Sequence, residues 1–427
     1  MRKMKDCGVE WIGEIPSDWT ICKILYVLKM PLTDGPHTTP EMFDDGVPFV
    51  SAEAVSCGNG RIDFDHIRGY ISEEFYQECC KKYIPQINDI YMIKSGATTG
   101  KVAIVDTDRK FTIWSPLAVF RSNEKKVKSK YMFYYLQSSG FQKQVELSWS
   151  FGTQQNIGMR ALERLSISVP PLAEQKKIAD FLDEKCGEID SIKADVQRQI
   201  ELLNDYKKSV ITEAVTKGLN PKAKLKDCGI KWIGKISTQW GLSKIGNVYS
   251  LRTQKVSDKV YPPLSVTMKG VLPQLENVAK TDDGDNRKLV KKGDFVINSR
   301  SDRRGSCGIS DLDGSVSLIN LVLKPHAEMN PRYYNWLFHT ESFADEFYSW
   351  GHGIVDDLWS TRWQEMRNIT IPVPPLSEQK EIADYLDEKC SEIDAVIADK
   401  QKQLETLDEY KKSLIFEYVT GKKEVLA

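Results

Sequence analysis

What this chain lacks narrows its function before any motif is considered. Its nine cysteines form no Cys-x-x-Cys pair, and its five histidines (His37, His66, His326, His339, His352) are scattered without ligand spacing. That pattern argues against a zinc site or a disulfide framework and favours reduced thiols in a cytosol. No run approaches the roughly 18 apolar residues of a membrane span, and no apolar signal segment opens the chain. Charge of one sign is also missing: 59 basic against 60 acidic residues give a net charge of −1. Such a balance excludes a uniformly basic nucleic-acid coat and an acidic DNA mimic, while leaving room for local basic patches.

Catalytic signatures are absent too. Lys94-Ser95-Gly96-Ala97-Thr98-Thr99-Gly100-Lys101 resembles a phosphate loop, but Ser95 and Val102 stand where that motif needs a glycine and a hydroxyl residue. An amino-methyltransferase would need Asn/Asp-Pro-Pro-aromatic. Asn330-Pro331-Arg332-Tyr333 lacks the second proline and reads more simply as a helix start, with Asn capping and Pro in the first turn. Asp183-Glu184-Lys185 and Asp387-Glu388-Lys389 hint at a nuclease cluster, yet their alternating charges read as a solvated helix face. The chain is expected to be non-catalytic, with no cofactor and no metal.

What is present is a duplication. Pro170-Pro171-Leu172-Ala173-Glu174-Gln175-Lys176 opens a stretch through Thr216 that returns at Pro374-Pro375-Leu376-Ser377-Glu378-Gln379-Lys380 through Thr420, identical at roughly two-thirds of its positions. A shorter signature precedes each copy. Lys5-Asp6-Cys7-Gly8, Trp11-Ile12-Gly13, Ile15 and Trp19 recur as Lys226-Asp227-Cys228-Gly229, Trp232-Ile233-Gly234, Ile236 and Trp240. The blocks between signature and repeat match poorly and differ in length, as a common frame carrying two different contact surfaces would.

Each repeated stretch is free of internal proline, and its apolar residues fall three and four apart: Ile189, Ile192, Val196, Leu203, Tyr206, Val210, then Ile393, Val396, Leu404, Leu407, Tyr410, Leu414. Helices of roughly 65 Å follow at 1.5 Å per residue, and the matching stripes predict that the two pair as a coiled coil. Pro-Pro-Leu is read as punctuation that ends a strand and holds the chain extended. Ser377 is a possible cap that Ala173 cannot match.

Both variable blocks alternate short β-like runs with turns and carry one aromatic helix, Tyr131–Leu136 and Tyr333–Phe338, whose rings are expected in the core. The fold class is therefore α+β: two mixed α/β domains, two long antiparallel coiled-coil helices, and an internal pseudo-two-fold repeat. The predicted boundaries are 1–169, 170–220, 221–373 and 374–427. Two polar patches per block are the candidate contact residues. In the first block they are Lys94, Ser95, Thr98, Thr99 and Lys101, then Thr153, Gln154, Gln155 and Asn156; in the second, Ser299, Arg300, Arg303 and Arg304, then Arg362. Backbone N–H groups, hydroxyls and guanidinium forks suit phosphates and guanine edges, and amides suit adenine. The bland alternative is a solvated hairpin tip.

The paired signatures, each closing with Pro-Pro-Leu-x-Glu-Gln-Lys-x-Ile-Ala and a long helix, resemble the specificity subunit of type I restriction-modification systems across essentially the whole chain. That resemblance implies two target-recognition domains bound to double-stranded DNA. It also implies assembly with two adenine-N6 methyltransferase subunits and, for cleavage, two ATP-dependent restriction subunits, in the cytoplasm. A non-catalytic coiled-coil scaffold for protein partners is the competing class.

Overall fold

In a computed structural model of the chain, residues 2–151, 155–274, 284–353 and 359–425 are described. Two compact units emerge, and the boundary cuts through the long helices. One unit is Met1–Val196 with Lys402–Ala427; the other is Gln197–Gln401. Each unit therefore holds one variable block, the first half of its own long helix and the second half of the other.

The signature makes a hairpin, Met4–Asp6 against Glu14–Pro16 in the first unit and Leu225–Asp227 against Lys235–Ser237 in the second. The following strand, Thr20–Lys23 or Gly241–Lys244, pairs antiparallel with the last strand of the block, Ser166–Val169 or Thr370–Val373. This pairing brings the two ends of each block together at the start of its long helix. A four-stranded sheet follows in each, in the order Thr33–Asp34, Leu117–Phe120, Ile90–Ile93, Val102–Ile104 and, correspondingly, Tyr249–Leu251, Asn320–Pro325, Phe295–Asn298, Cys307–Ile309. The blocks diverge outside that sheet. The first adds Tyr70–Ile71, Val47–Val50 and Thr112–Ile113, with one parallel pairing. The second adds Lys255–Val256, Arg287–Val290 and Gly314–Val316, all antiparallel, and the hairpin Leu264–Thr267 with Gly270–Pro273.

The aromatic helices are core, as their sequence predicts: Tyr131, Tyr135, Tyr333 and Tyr334 are fully buried. Asn330 caps its helix by accepting from the Arg332 amide at 3.0 Å, with Pro331 in the first turn. The long helices run Leu172–Lys217 (46 residues) and Leu376–Val419 (44 residues). They begin directly after each Pro-Pro pair, so Ala173 and Ser377 lie inside the first turn and Ser377 is no N-cap. The carbonyls of Pro171 and Pro375 accept the first helical bonds instead.

The Pro-Pro-Leu-x-Glu-Gln motif proves to be more than punctuation. Trp19 is buried and its indole donates to Glu174 Oε2 at 3.0 Å; Trp240 does the same to Glu378 at 2.8 Å. The next residue, Gln175, accepts from the Lys128 amide at 2.7 Å and donates to the Pro170 carbonyl at 2.8 Å. Gln379 copies this with Asn330 and Pro374, both at 2.9 Å. One glutamate and one glutamine thus tie the signature, the entry to the aromatic helix and the proline turn to the first turn of each long helix. The other helix's end is gripped at the same place. Ser168 and Tyr131 donate to the Val419 carbonyl at 2.7 and 2.9 Å, and Tyr333 donates to the Val215 carbonyl at 2.8 Å. Beyond those carbonyls Gly421 turns at φ +71°, where a Cβ would meet Pro16 Cγ at 2.4 Å. Gly218 turns at φ +81°, where a Cβ would meet Glu378 Oε1 at 2.7 Å. Positive φ and the lack of space both demand glycine.

The helix seam corrects the sequence reading. Ile192, Tyr206, Val396 and Tyr410 are exposed, whereas Ile200 and Ile397, outside the expected stripe, are buried. The buried series Leu182, Cys186, Ile189, Val196, Ile200 follows a strict 4-3 spacing with one gap. The gap falls at Lys193, and the corresponding gaps downstream fall at Lys207, Lys400 and Lys411. Each lysine reaches the opposite helix: Lys193 to Asp408, Lys411 to Asp190 at 2.7 Å, Lys207 to Asp394 at 2.6 Å and Lys400 to Gln199. A stripe drawn through apolar residues alone steps one position aside at Lys193, Lys207 and Lys411, to Ile192, Tyr206 and Tyr410. Between Asp190–Lys411 and Lys193–Asp408 one number rises by three as the other falls by three, so the helices run antiparallel. Asp190–Lys411 and Asp394–Lys207 are the same pair with the roles of the two helices exchanged. Polar residues at seam positions select register at some cost in stability.

The acidic pairs dismissed as solvated also have partners. Asp183 accepts from Tyr134 at 2.8 Å and pairs with Lys130; Asp387 accepts from Trp336 at 2.8 Å and pairs with Arg332 at 2.5 Å. They fasten each aromatic helix to its long helix.

Glu378→Ala, which strands the buried Trp240 indole, is expected to cost about 1–3 kcal/mol in urea unfolding monitored by circular dichroism. Asp190→Lys should cost about 1 kcal/mol, and Lys411→Asp in the same chain should recover most of it. No recovery would show that the pair is incidental.

Candidate nucleic-acid interface

The first candidate loop connects Ile90–Ile93 to Val102–Ile104 as a hairpin between antiparallel strands. Gly96 and Gly100 sit at φ +98° and +96°, and the Thr99 hydroxyl closes the turn on the Gly96 carbonyl at 2.7 Å. No helix follows the loop, so it lacks the strand-to-helix geometry that lets a phosphate loop cradle a nucleotide. Its counterpart, between Phe295–Asn298 and Cys307–Ile309, is closed by a short helical turn, Ser301–Arg303.

The fold joins patches that are about 60 residues apart in the chain. Ser95 forms an antiparallel bridge with Asn156, the Gly96 amide donates to the Gln155 carbonyl at 3.0 Å, and the Ile157 amide donates to the Lys94 carbonyl at 2.9 Å. In the second unit Arg300 bridges Ser360, Thr361 donates to the Ser299 carbonyl at 3.0 Å, and Ser301 donates to the Trp359 carbonyl at 2.9 Å. The second patch is itself a hairpin in both units, with Ser150–Phe151 on Gln155–Asn156 in one and His352 on Ser360 in the other. Both units therefore present the same backbone device, a glycine-containing loop zipped to the edge of a second hairpin, with different side chains on it.

The candidate side chains divide by what they already touch. Lys94 is turned inward, its ammonium on Asp34 Oδ2 at 2.8 Å with 13 % of the side chain exposed. Lys82 holds the other oxygen of Asp34 at 2.6 Å. Ser299 is buried and donates to the Ile319 carbonyl at 2.5 Å. Thr98 is half-buried, whereas Lys101, Gln155 and Asn156 are exposed, with Lys101 reaching the Ser56 carbonyl at 3.4 Å. Thr153 and Gln154 lie outside the described residues. In the second unit Arg300 pairs with Asp302 at 3.0 Å, Arg304 pairs with Asp345, and Arg303, 69 % exposed, lies 4.0 Å from the Asp302 carboxylate already engaged by Arg300. Arg362 is exposed at the start of the short helix Trp363–Met366 and has no ion pair among the described residues. An open cleft of about 530 Å³ is lined by Arg300, Ser360 and Arg362 together with Lys288, Leu318 and Ile319. Burial lowers the Lys288 pKa, and its ammonium donates to the Asn320 carbonyl at 2.7 Å.

Sequence reading missed Asp34, Lys82 and Lys288. A single aspartate in a polar loop and isolated lysines carry no pattern; only the fold makes them neighbours. Burial raises the Asp34 pKa, but the ammonium groups of Lys82 and Lys94 outweigh it and hold the carboxyl below its usual range. Among the described residues no cluster of side chains could hold a metal ion, and no helix is long and apolar enough to cross a membrane.

One duplicated backbone device carrying different side-chain chemistry in each unit defines a protein of two similarly built domains. The chain belongs to the family of the type I restriction modification DNA specificity domain, whose model matches residues 16–202 and again 239–406. It is 27 % identical over 429 residues to a putative type I restriction enzyme MjaX specificity subunit of Methanocaldococcus jannaschii, covering 97 % of this chain and 96 % of that one. A second specificity subunit of that organism, MjaVIII, is 25 % identical over 96 % of this chain and 94 % of its own length. Among solved structures, a chain from a study of complex assembly and conformational transition of the type I R-M system superposes with a TM-score of 0.70 at 14 % identity, covering 96 % of this chain and 99 % of that one. The HsdS subunit of Thermoanaerobacter tengcongensis gives 0.52 at 16 % identity, covering 96 % and 98 %. At these identities the superpositions speak for the fold, which agrees with the expected pair of mixed domains and long helices.

Because the folded Asp34 pKa is depressed, its contribution to stability is complete above the ordinary carboxylate range and is lost as pH falls through about 4 and below. Asp34→Asn should therefore lower thermal stability at pH 7 and flatten its dependence between pH 5 and 3. An unchanged acid slope would show that the cluster does not couple to folding.

Proposed function

We propose that this chain is the DNA-reading subunit of a type I restriction-modification complex and reads a bipartite, asymmetric target. One half-site goes to each recognition domain, residues 1–169 and 221–373, and the helical segments 170–220 and 374–427 set the gap between them. The observation that carries this reading is the repeated zipping of two polar loops, Ser95 to Asn156 and Arg300 to Ser360, which offers two similarly built heads with dissimilar side chains. Equivalent frames give comparable access to a duplex, and different side chains give different half-sites. A separation of roughly 34–36 Å, one helical turn, suits two heads on one face of DNA.

The partners follow from the family. Two adenine-N6 methyltransferase subunits would dock on the repeated solvent-facing charges of the long helices, and two ATP-dependent restriction subunits would join for cleavage. The chemistry is theirs, and the complex would work in the cytoplasm. The names of the relatives and the duplicated Pro-Pro-Leu/Glu-Gln-Lys frame support this assignment.

Single-molecule methylome sequencing of a host carrying this chain with its methyltransferase subunit should reveal a new N6-methyladenine mark in a split, asymmetric motif. An assembled complex that adds no mark would favour the scaffold reading. Inserting one heptad at matched levels of both helices adds about 10 Å at 1.5 Å per residue, and should widen the unspecified gap by about three base pairs at 3.4 Å each. A mark with an unchanged gap would refute the helices as the ruler.

A further inference from the structure

The two heads differ in a way that the shared backbone makes easy to compare. On the zipped loops of the first unit, residues 94–101 and 155–156, there is no arginine. Of its two lysines, Lys94 is occupied by Asp34 and Lys101 reaches the Ser56 carbonyl at 3.4 Å. The exposed carboxamide that stands on these loops is that of Gln155. On the corresponding loops of the second unit, residues 299–306 and 359–362, there is no asparagine or glutamine but there are four arginines.

The ion pairs then separate those arginines. Arg300 is held by Asp302 at 3.0 Å and Arg304 by Asp345. One carboxylate cannot fully serve two guanidinium groups, so Arg303, 4.0 Å from Asp302, retains most of its capacity to donate. Arg362 carries no ion pair among the described residues and stands at the rim of the cleft beside Arg300 and Ser360. The backbone beneath both is firm. The Tyr348 hydroxyl donates to the Asn298 carbonyl at 3.0 Å and lies 3.3 Å from the Arg303 carbonyl, and Thr361 is buried with its hydroxyl on the Phe347 carbonyl at 2.7 Å.

We propose that the two heads read different bases: Arg303 and Arg362 select guanine in the half-site of the second domain, and Gln155 selects adenine in the half-site of the first. The donor and acceptor patterns of the major groove give the reason. Guanine offers two acceptors, N7 and O6, to the two donors of a guanidinium fork. Adenine offers the N7 acceptor and the N6 amino donor, which match the donor and acceptor of a carboxamide. A guanidinium has no acceptor for the adenine amino group, and a carboxamide presents one donor nitrogen beside one acceptor oxygen, so at guanine its oxygen would face a second acceptor. The first head therefore discriminates A·T pairs and the second G·C pairs. This assignment rests on the half-site reading above.

The test uses the full chain in complex with its methyltransferase subunits, with assembly confirmed by size-exclusion chromatography. Arg303→Gln, Arg362→Gln and Gln155→Ala change exposed side chains and should leave assembly intact. Methylation of a duplex library, read by single-molecule sequencing, should show each arginine variant losing about tenfold or more of its preference at a guanine of one half-site, with the other half-site unchanged. Gln155→Ala should blur an adenine of the opposite half-site only. A split motif whose base preferences survive all three substitutions would overturn the base assignment while leaving the half-site reading intact. Loss at a base other than guanine for the arginine variants would also overturn the assignment. An assembled wild-type complex with no split motif would overturn the half-site reading, and the assignment with it.

Discussion

The architecture depends on one half-buried bond made twice, the indole of a buried signature tryptophan donating to a glutamate in the first turn of a long helix. A buried indole N–H is costly to leave unpaired, and in both units the glutamate carboxylate accepts from it. The bond therefore fixes where the strand after the signature meets the start of the helix. Because the C-terminal tip of the other helix packs on the same indole through Gly421 or Gly218, the contact also sets where that second helix must end. Within each unit, strand, helix start and helix end are determined together, and the variable block hangs from that junction by its paired first and last strands.

This arrangement explains how two blocks of dissimilar sequence can present their loops alike. The four-stranded sheet, the aromatic helix and the closing strand pair recur in both, while the outer strands differ in number and direction. Even the buried ion pair beneath the sheet has been solved twice. Asp89 is met by Arg121, just beyond an inner strand, at 2.7 Å, whereas Asp294 is met by Arg252, just beyond the edge strand, at 2.6 Å. The aspartate keeps its place before the strand that leads into the candidate loop, and the arginine arrives from wherever each block can supply one. Variation is tolerated around the frame because the frame does not depend on it.

The long helices show a second economy. A purely apolar seam would bind a partner helix in several registers. Four lysines placed at seam positions, with acids or an amide opposite, penalise most of them. The two pairs that exchange helices, Asp190 with Lys411 and Asp394 with Lys207, repeat the same register in each unit.

Local signals made much of this legible from the sequence alone. The duplication is explicit, proline-free stretches with three-and-four spacing must be helices, and aromatic helices in a small α/β block must be core. What periodicity could not convey was which residues close the seam, because a lysine is recognisable as a seam residue only when its partner on the other helix is known. Nor could it show that Glu174 and Gln175 are structural keys, that Lys94 is spent on Asp34, or that Ser95 lies against Asn156 and Arg300 against Ser360. Each of those facts is a meeting of residues far apart in the chain, and such meetings are decided by packing and backbone pairing. Sequence by itself determined the elements, their duplication and the kinds of side chain on each loop. The tertiary structure alone decided which loops share a surface and which of their charges remain to meet a ligand, because a charge is available only when no folded neighbour has already neutralised it.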